Sequence, residues 1–227
     1  MKQFIKNTIL ITICIFLVNC SSDSNSDKDG PKTVNTDNYL YFISGEVDGE
    51  SFLYGLETEP TSIEYTNVFG KSGVCTSDNT SYGGINYNSG VYPSFSGGSS
   101  IFFDFVRFYL CSSSQSKLEL FNDSFPVKSY PLSVSDNTIS GTNGSIAISY
   151  SPNVNNDLYY TSFNGSSING SFTITKSTEK NQFLLNQLID AYQEIEGTFS
   201  GTLYNVEDSS DTVEITNGAF KLQVKLL

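Results

Sequence analysis

The chain has 227 residues, with 24 acidic side chains against 12 lysines and arginines, which gives a formal net charge of −12. An acidic surface without a basic run repels phosphates, so we predict no nucleic acid partner. The sequence contains no histidine, which excludes Ser-His-Asp and Cys-His catalysis and removes the commonest zinc ligand. It also contains no phosphate-binding glycine loop and no dinucleotide-binding motif, so we predict no metal and no cofactor.

The first residues are typical of an export signal. Lys2 and Lys6 precede an almost unbroken apolar run from Ile9 to Val18, and a run of this length suits the centre of a secretory signal peptide. As a helix, the run would span only about 15 Å, which is half the hydrocarbon thickness of a bilayer. We therefore do not expect a permanent membrane span.

The end of the signal carries a cysteine. Leu17, Val18 and Cys20 resemble the bacterial lipobox, although Asn19 stands where Gly, Ala or Ser is usual. The resemblance implies that residues 1–19 are a lipoprotein signal peptide, that the Cys20 thiol receives a diacylglycerol and that the chain is cut before Cys20. Acyl chains on Cys20 would hold the protein at a membrane. A plain signal peptide that is cleaved nearby is the alternative.

The segment after Cys20 is polar and acidic, without an apolar residue as far as Pro31. Such a segment has no apolar surface to bury, so we predict a flexible acidic tether over residues 20–38. Its Ser and Asp residues loosely resemble the surface-export signal of Bacteroidota lipoproteins. We therefore expect a lipid-anchored outer-membrane protein exposed at the cell surface, with the periplasmic face as the alternative.

The remaining chain, residues 39–227, has the composition of one all-β domain. Its many Gly, Ser, Thr and Asn residues are typical of turns between short strands, and Phe and Tyr, of which the whole chain has 17 and 14, supply a core. We predict a single antiparallel β-sandwich or a flattened up-and-down, lipocalin-like barrel, with one short helix. Antiparallel pairing is favoured because parallel strands need long crossovers.

The clearest strand pair lies at the start of this domain. Asp48-Gly49 separates two alternating runs, and both central residues of such a turn need positive φ. The two-residue loop pairs Val47 with Glu50 and Ile43 with Tyr54. This register collects the apolar side chains on one face of the hairpin.

The most apolar part of the mature chain runs from Ile101 to Leu110, and we predict a central strand that is buried on both faces. Asp104 and Arg107 should lie on opposite faces of it. Further strands are predicted at Thr61–Val68, Val127–Val134, Ser145–Tyr150, Leu158–Phe163, Ser167–Thr175 and Ile195–Val206.

Two C-terminal segments complete the prediction. The stripe of Leu184, Leu188 and Tyr192 predicts a short amphipathic helix over Phe183–Tyr192 that packs on the sheet. Asn217-Gly218 then predicts a hairpin turn between Thr212–Thr216 and Ala219–Leu226. In that hairpin Ile215 would face Phe220, and Glu214 would face Lys221.

Two cysteines remain in the mature domain once Cys14 leaves with the signal and Cys20 takes lipid. We predict a disulfide between Cys75 and Cys111, since an exported protein meets an oxidising compartment. Two unpaired buried thiols are the alternative.

Six short segments follow one another along the chain. They are the lipobox at Cys20, Val47-Asp48-Gly49, Tyr130-Pro131-Leu132, Gly170 to Thr175, Glu196 to Gly201 and Val213 to Phe220. The ordered set resembles a family of uncharacterised Bacteroidota cell-envelope lipoproteins. The resemblance implies an all-β envelope lipoprotein and brings no catalytic residues.

Candidate ligand-binding residues are Tyr82, Tyr87 and Tyr92, because they lie among Gly, Ser and Asn rather than in a core pattern. Tyrosine stacks on sugar rings, so the interpretation is a non-enzymatic β module that binds a glycan or an envelope protein. A structural or assembly role is the first alternative. Glycoside hydrolysis by paired carboxylates is the second, although no spacing marks a pair. The acids considered are Glu46, Glu57, Glu64, Asp104 and Glu119.

Overall fold

A computed structural model of the chain describes residues 35–56, 69–70, 82–91, 98–110, 114–132, 144–153, 158–162 and 169–226. Thr33–Leu227 forms one compact unit. The predicted lipid site Cys20, most of the predicted tether, Cys75, Cys111 and the predicted strand Thr61–Val68 lie outside the described residues. The predictions made for them stay predictions.

Eleven strands and one short helix make up the described chain. In chain order they are β1 (Tyr41–Val47), β2 (Glu50–Leu56), β3 (Phe69–Gly70), β4 (Tyr82–Val91), β5 (Ser100–Leu110), α1 (Lys117–Asn122), β6 (Lys128–Tyr130), β7 (Ser145–Ser151), β8 (Tyr160–Thr161), β9 (Gly170–Leu184), β10 (Gln187–Asn205) and β11 (Thr212–Lys225). The predicted strands after residue 127 correspond to β6–β10, with β9 and β10 much longer than expected.

The strands form one antiparallel sheet in the order β2-β1-β11-β10-β8-β7-β5-β4-β3. Strand β9 pairs with the first part of β10, and β6 pairs with β9. Within the described residues the sheet does not close. It curls over itself, and Ser89 of β4 donates a hydrogen bond of 2.9 Å to the carbonyl of Gln223 in β11. The all-β class is confirmed, and the architecture is a sandwich.

Aromatic rings fill the space between the two layers. The Phe103 ring lies 4.9 Å from that of Phe199, 5.1 Å from that of Phe172 and 5.4 Å from that of Phe220. These four side chains come from four different strands and all are buried. Edge-to-face contacts of this kind add to the free energy gained by burying apolar area. This cluster joins β5 to β9, β10 and β11.

The first hairpin is confirmed in its predicted register. Val47 lies opposite Glu50 and Ile43 lies opposite Tyr54. The turn residues Asp48 and Gly49 have φ values of 51° and 84°, as a two-residue turn with positive φ at both positions requires.

Strand β5 is central, since it pairs with β4 and β7, but its predicted burial on both faces is wrong. Ile101, Phe103 and Phe105 are buried on one face, while Phe102 and Asp104 on the other are only half-buried. The sequence of β5 is largely apolar because its partly exposed outer face also carries aromatic side chains. Successive residues of the strand point to opposite faces, so Asp104 and Arg107 lie on opposite faces, as predicted.

The helix predicted over Phe183–Tyr192 is wrong, because this segment is the end of a β-hairpin between β9 and β10. Leu184 pairs with Gln187 across a turn in which Leu185 and Asn186 have φ values of 49° and 65°. The pairing of β9 with β10 continues through this segment. Leu184 and Leu188 of the predicted apolar stripe are exposed to solvent and do not pack on the sheet. The helix of the described chain is α1, which begins at the capping box of Ser116 and Glu119.

The hairpin predicted at Asn217-Gly218 is also wrong. Strand β11 runs straight through these residues and pairs with β1 on one side and β10 on the other. Both registers shift there by one residue, and Asn217 has a φ of 52°, so the pair forms a β-bulge. Before the bulge the odd-numbered residues of β11 face the core, and after it the even-numbered residues do. Ile215 and Phe220 are therefore both buried.

Candidate functional site

A cleft of about 530 Å³ opens at the end of the sheet where β1 turns into β2. Its lining residues come from the first hairpin, from β7, β8 and β11, and from the segments before β5, after β7 and before β8. They are Val47, Asp48, Glu50, Ser51, Phe52, Tyr54, Ser99, Tyr150, Pro152, Leu158, Tyr160 and Val213. We call this site the tyrosine cleft.

Alternation in β2 supplies one wall. Phe52 and Tyr54 are two positions apart and therefore share a face, and their rings stack with centroids 5.2 Å apart. Phe52 lies opposite Gly45, where a Cβ atom would come within 3.1 Å of the Phe52 ring. The missing side chain at Gly45 lets this ring lie flat against the neighbouring strand.

Two tyrosines on adjacent strands supply the other wall. Tyr150 of β7 pairs directly with Tyr160 of β8, and their ring centroids are 6.3 Å apart. The Tyr160 hydroxyl donates a hydrogen bond of 2.9 Å to Asp211 Oδ2, which also accepts one of 2.9 Å from the Asn205 side chain. These bonds fix the Tyr160 ring before any ligand arrives.

The phenols of the cleft keep their protons at neutral pH. Burial raises the pKa of Tyr54, whose hydroxyl is hydrogen-bonded to Ser99. Burial also raises the pKa of Tyr150, and the nearby Tyr54 hydroxyl and Asp48 carboxylate add to the effect. Desolvation disfavours the charged form of each phenol, so both side chains present O–H donors.

Carboxylates stand beside these phenols. Asp48 and Glu50 flank the hairpin turn and line the cleft. Asp48 Oδ1 accepts a hydrogen bond of 2.8 Å from the backbone amide of Glu214, which ties the turn to β11. The cleft thus combines apolar ring faces, phenol donors and carboxylate acceptors, which suits a neutral polar ligand and disfavours an anion.

Of the three predicted ligand-binding tyrosines, Tyr87 is the one whose side chain the structure describes, and it does not line this cleft. Tyr87 is only 1 % exposed and packs between Phe121 and Phe125, with ring centroids 5.3 and 5.5 Å away. It is a core residue because this inward-facing position of β4 lies against Phe121 of α1 and Phe125. Tyr82 is described in its backbone alone, opposite Leu110 of β5, and Tyr92 lies outside the described residues.

The three candidate acids that the structure describes, Glu46, Asp104 and Glu119, lie on different elements. Glu46 accepts hydrogen bonds from Thr216 and Asn217 at the bulge, at 3.1 and 3.0 Å. Glu119 caps α1, and Asp104 lies on the outer face of β5. Glu57 and Glu64 lie outside the described residues. Within the described ranges no group of three His, Cys, Asp or Glu side chains is placed to hold a metal ion.

Sequence reasoning missed Phe52, Tyr54, Tyr150 and Tyr160. The alternation Phe52-x-Tyr54 beside the Asp-Gly turn was a usable signal for one wall. The other wall depends on the pairing of β7 with β8 and of β8 with β10, which no local pattern indicates.

Compared with known proteins, the chain matches no protein-family model, no curated protein and no solved structure. Within the part of the chain that the structure describes, no helix has the length and apolar character needed to cross a membrane.

Proposed function

We propose that this is a lipid-anchored cell-envelope protein that binds a neutral saccharide in the tyrosine cleft. The observation that carries the proposal is the pairing of two aromatic walls, Phe52 with Tyr54 and Tyr150 with Tyr160, around one opening. A volume of about 530 Å³ lies within the usual range for small-molecule sites.

The chemistry of the lining favours a saccharide. Ring faces such as those of Phe52 and Tyr54 bury the apolar C–H face of a sugar. The Tyr150 hydroxyl donates to sugar oxygens, while the Asp48 and Glu50 carboxylates accept from sugar hydroxyls. The formal net charge of −12 works against anionic ligands, so the preferred class is a neutral glycan.

The placement of the carboxylates supports binding rather than hydrolysis. Glycoside hydrolysis needs two carboxyl groups on either side of the scissile bond. Asp48 and Glu50 instead project from one tight turn, and Asp48 Oδ1 accepts a hydrogen bond from the Glu214 amide, so that a sugar hydroxyl would donate to Oδ2. Asp211 is likewise held by Tyr160 and Asn205. Glycoside hydrolysis therefore remains the weaker alternative, beside a purely structural or assembly role.

Anchoring at the outer membrane rests on the lipobox at Cys20 and on the acidic segment that follows it. Labelling of the full chain with a fatty-acid probe tests this part. We expect the wild type to be labelled and the variant Cys20→Ala to remain unlabelled. Labelling that survives the substitution would reject the anchor.

A glycan array tests the ligand class. The protein spanning residues 21–227 retains the whole compact unit Thr33–Leu227 and is produced by export, so that its cysteines meet an oxidising compartment. We expect binding to a subset of neutral glycans and none to their sulfated or uronic acid counterparts. An array without a neutral ligand, or with a preference for anionic glycans, would contradict the proposal.

A further inference from the structure

The end of the β9–β10 hairpin exposes large apolar side chains to solvent. We call residues 181–189 the hairpin tip. Phe183 is 58 % exposed, Leu184 61 %, Leu185 91 %, Leu188 38 % and Ile189 58 %. The tip contains no charged residue, and the nearest charges are Lys180 and Asp190 at its two ends. Isolated exposed apolar residues are ordinary, but five in one short segment mark an interaction surface.

The tip projects beyond the rest of the sheet. The last pairings of β10 with β11 are Tyr192 with Lys225 and a hydrogen bond of 2.9 Å from the Leu226 amide to the Ala191 carbonyl. From there β9 and β10 continue as a two-stranded ribbon to the turn at Leu185 and Asn186. At the rise of a β-strand, the ribbon extends roughly 15 Å past the end of β11.

The tip lies at the end of the sheet from which the chain leads back to Cys20. Strand β1 is antiparallel to β11, and β11 is antiparallel to β10, so β1 and β10 both run away from the tip. Phe42, at the start of β1, lies at the level of Glu196 in the middle of β10, and Val47, at its end, lies at the level of Gly201, farther from the tip. The tyrosine cleft, formed around the turn after Val47, lies at the opposite end.

We propose that the hairpin tip inserts into the surface of the bilayer that holds the Cys20 lipid and so forms a second membrane contact. The inference rests on the lipid anchor of the proposed function. The twenty residues 21–40 span at most about 70 Å, which is more than the roughly 33 Å along β10 from the level of the β1 start, at Glu196, to the turn of the tip. The anchored chain therefore lets the tip reach the bilayer and leaves the tyrosine cleft facing away from it.

The composition of the tip favours shallow insertion. Its two apolar blocks, Phe183–Leu185 and Leu188–Ile189, are each preceded by an uncharged polar pair, Asn181-Gln182 and Asn186-Gln187. These pairs suit the headgroup layer, where water satisfies their polar groups and the backbone of the turn. The absence of charge in the tip favours contact with uncharged lipid over electrostatic binding to an anionic surface. A second copy of the chain is the competing occupant, but the direction of the chain toward Cys20 favours the bilayer.

Flotation with phosphatidylcholine vesicles tests the inference on the protein spanning residues 21–227, which lacks both the signal and the lipidated cysteine. The variants are Leu185→Glu in the tip and Val127→Glu as the control, since Val127 is 60 % exposed and lies outside the tip. We expect the unsubstituted protein and Val127→Glu to float. The variant Leu185→Glu loses one inserted leucine, so its partitioning into vesicles should be lower than that of the unsubstituted protein by about tenfold or more.

Two results would overturn the inference. One is a Leu185→Glu variant that floats as well as Val127→Glu. The other is an unsubstituted protein that does not float, and in that case a dimer in sedimentation that Leu185→Glu dissociates would assign the tip to a second copy. Melting curves confirm that each variant is folded. Acylation of Cys20 is measured separately on the full chain, so failure of the anchor and failure of the tip are distinguishable.

Discussion

The Tyr160 hydroxyl and the Asp211 carboxylate form a hydrogen bond of 2.9 Å that links β8 to the residue before β11. Tyr160 is buried, and burial together with this carboxylate raises the pKa of its hydroxyl. The bond therefore keeps the phenol protonated and holds one wall of the tyrosine cleft in place.

A double-mutant cycle measures the strength of this bond. We expect Tyr160→Phe and Asp211→Ala each to lower the free energy of unfolding, with a coupling between them of about 1 kcal/mol. Urea denaturation provides the four free energies. Tyr204→Phe on the neighbouring strand is the control for loss of a half-buried phenol. Additive effects of the two substitutions would show that the bond contributes nothing to stability.

Removal of the Phe220 side chain should lower the free energy of unfolding strongly. It is buried against Phe103 and Phe172, at centroid distances of 5.4 and 4.8 Å. Phe220→Ala is expected to cost about 3–5 kcal/mol, and deletion of residues 219–227 should prevent stable folding. Lys221→Ala, which removes a partly exposed ion pair with Glu194 at 3.9 Å, should cost only about 0–1 kcal/mol. Equal melting temperatures for the two substitutions would contradict this packing.

The hairpin at Leu185 differs from a helix in its response to glycine. Leu185 has a φ of 49°, which is unfavourable for leucine but not for glycine. Leu185→Gly is therefore expected to raise the free energy of unfolding by about 0.5–1 kcal/mol, whereas in a helix it would lower it by a similar amount. Leu184→Gly, at a paired strand position, serves as the control and should destabilise. A destabilising Leu185→Gly would restore the helical interpretation.

Local patterns predicted the first hairpin because two independent signals agreed there, the Asp48-Gly49 turn and the alternation on both sides of it. They failed at residues 183–192 because the apolar side chains were assumed to be buried. These side chains are exposed, so their spacing along the sequence does not indicate a buried face. Leu185 has a positive φ, but leucine is not a residue type that is typical of turns. A stripe of leucines then resembles a helix.

The error at Asn217 has a different cause. Asn-Gly favours positive φ in a hairpin turn and in a bulge alike. The change of parity between Ile215 and Phe220 fits both. Only pairing with β1 and β10 on either side decides between them, and those partners are distant in sequence. The tyrosine cleft escaped prediction for the same reason, since Tyr54 and Tyr150 meet only when the sheet has formed.

Alkaline pH should destabilise the domain through Tyr87. Burial raises the pKa of this hydroxyl from 10.0 to about 12, so the folded protein keeps a proton that the unfolded chain has lost. Its contribution is fully present below pH 10 and is lost as the pH rises to about 12, an effect of about 3 kcal/mol. Urea denaturation between pH 9 and pH 12 measures it. The slope should be smaller in Tyr87→Phe, and an identical slope in both proteins would contradict the assignment.

Equilibrium titration of the best neutral glycan from the array tests the central claim most directly. The unsubstituted protein is compared with Tyr150→Ala in the cleft and with Tyr192→Ala, a half-buried tyrosine at the opposite end of the sheet. We predict that Tyr150→Ala weakens binding by at least about tenfold, as the loss of a stacked ring and a hydrogen bond requires, and that Tyr192→Ala binds normally. Unchanged affinity in a folded Tyr150→Ala protein would show that the ligand does not bind in the tyrosine cleft.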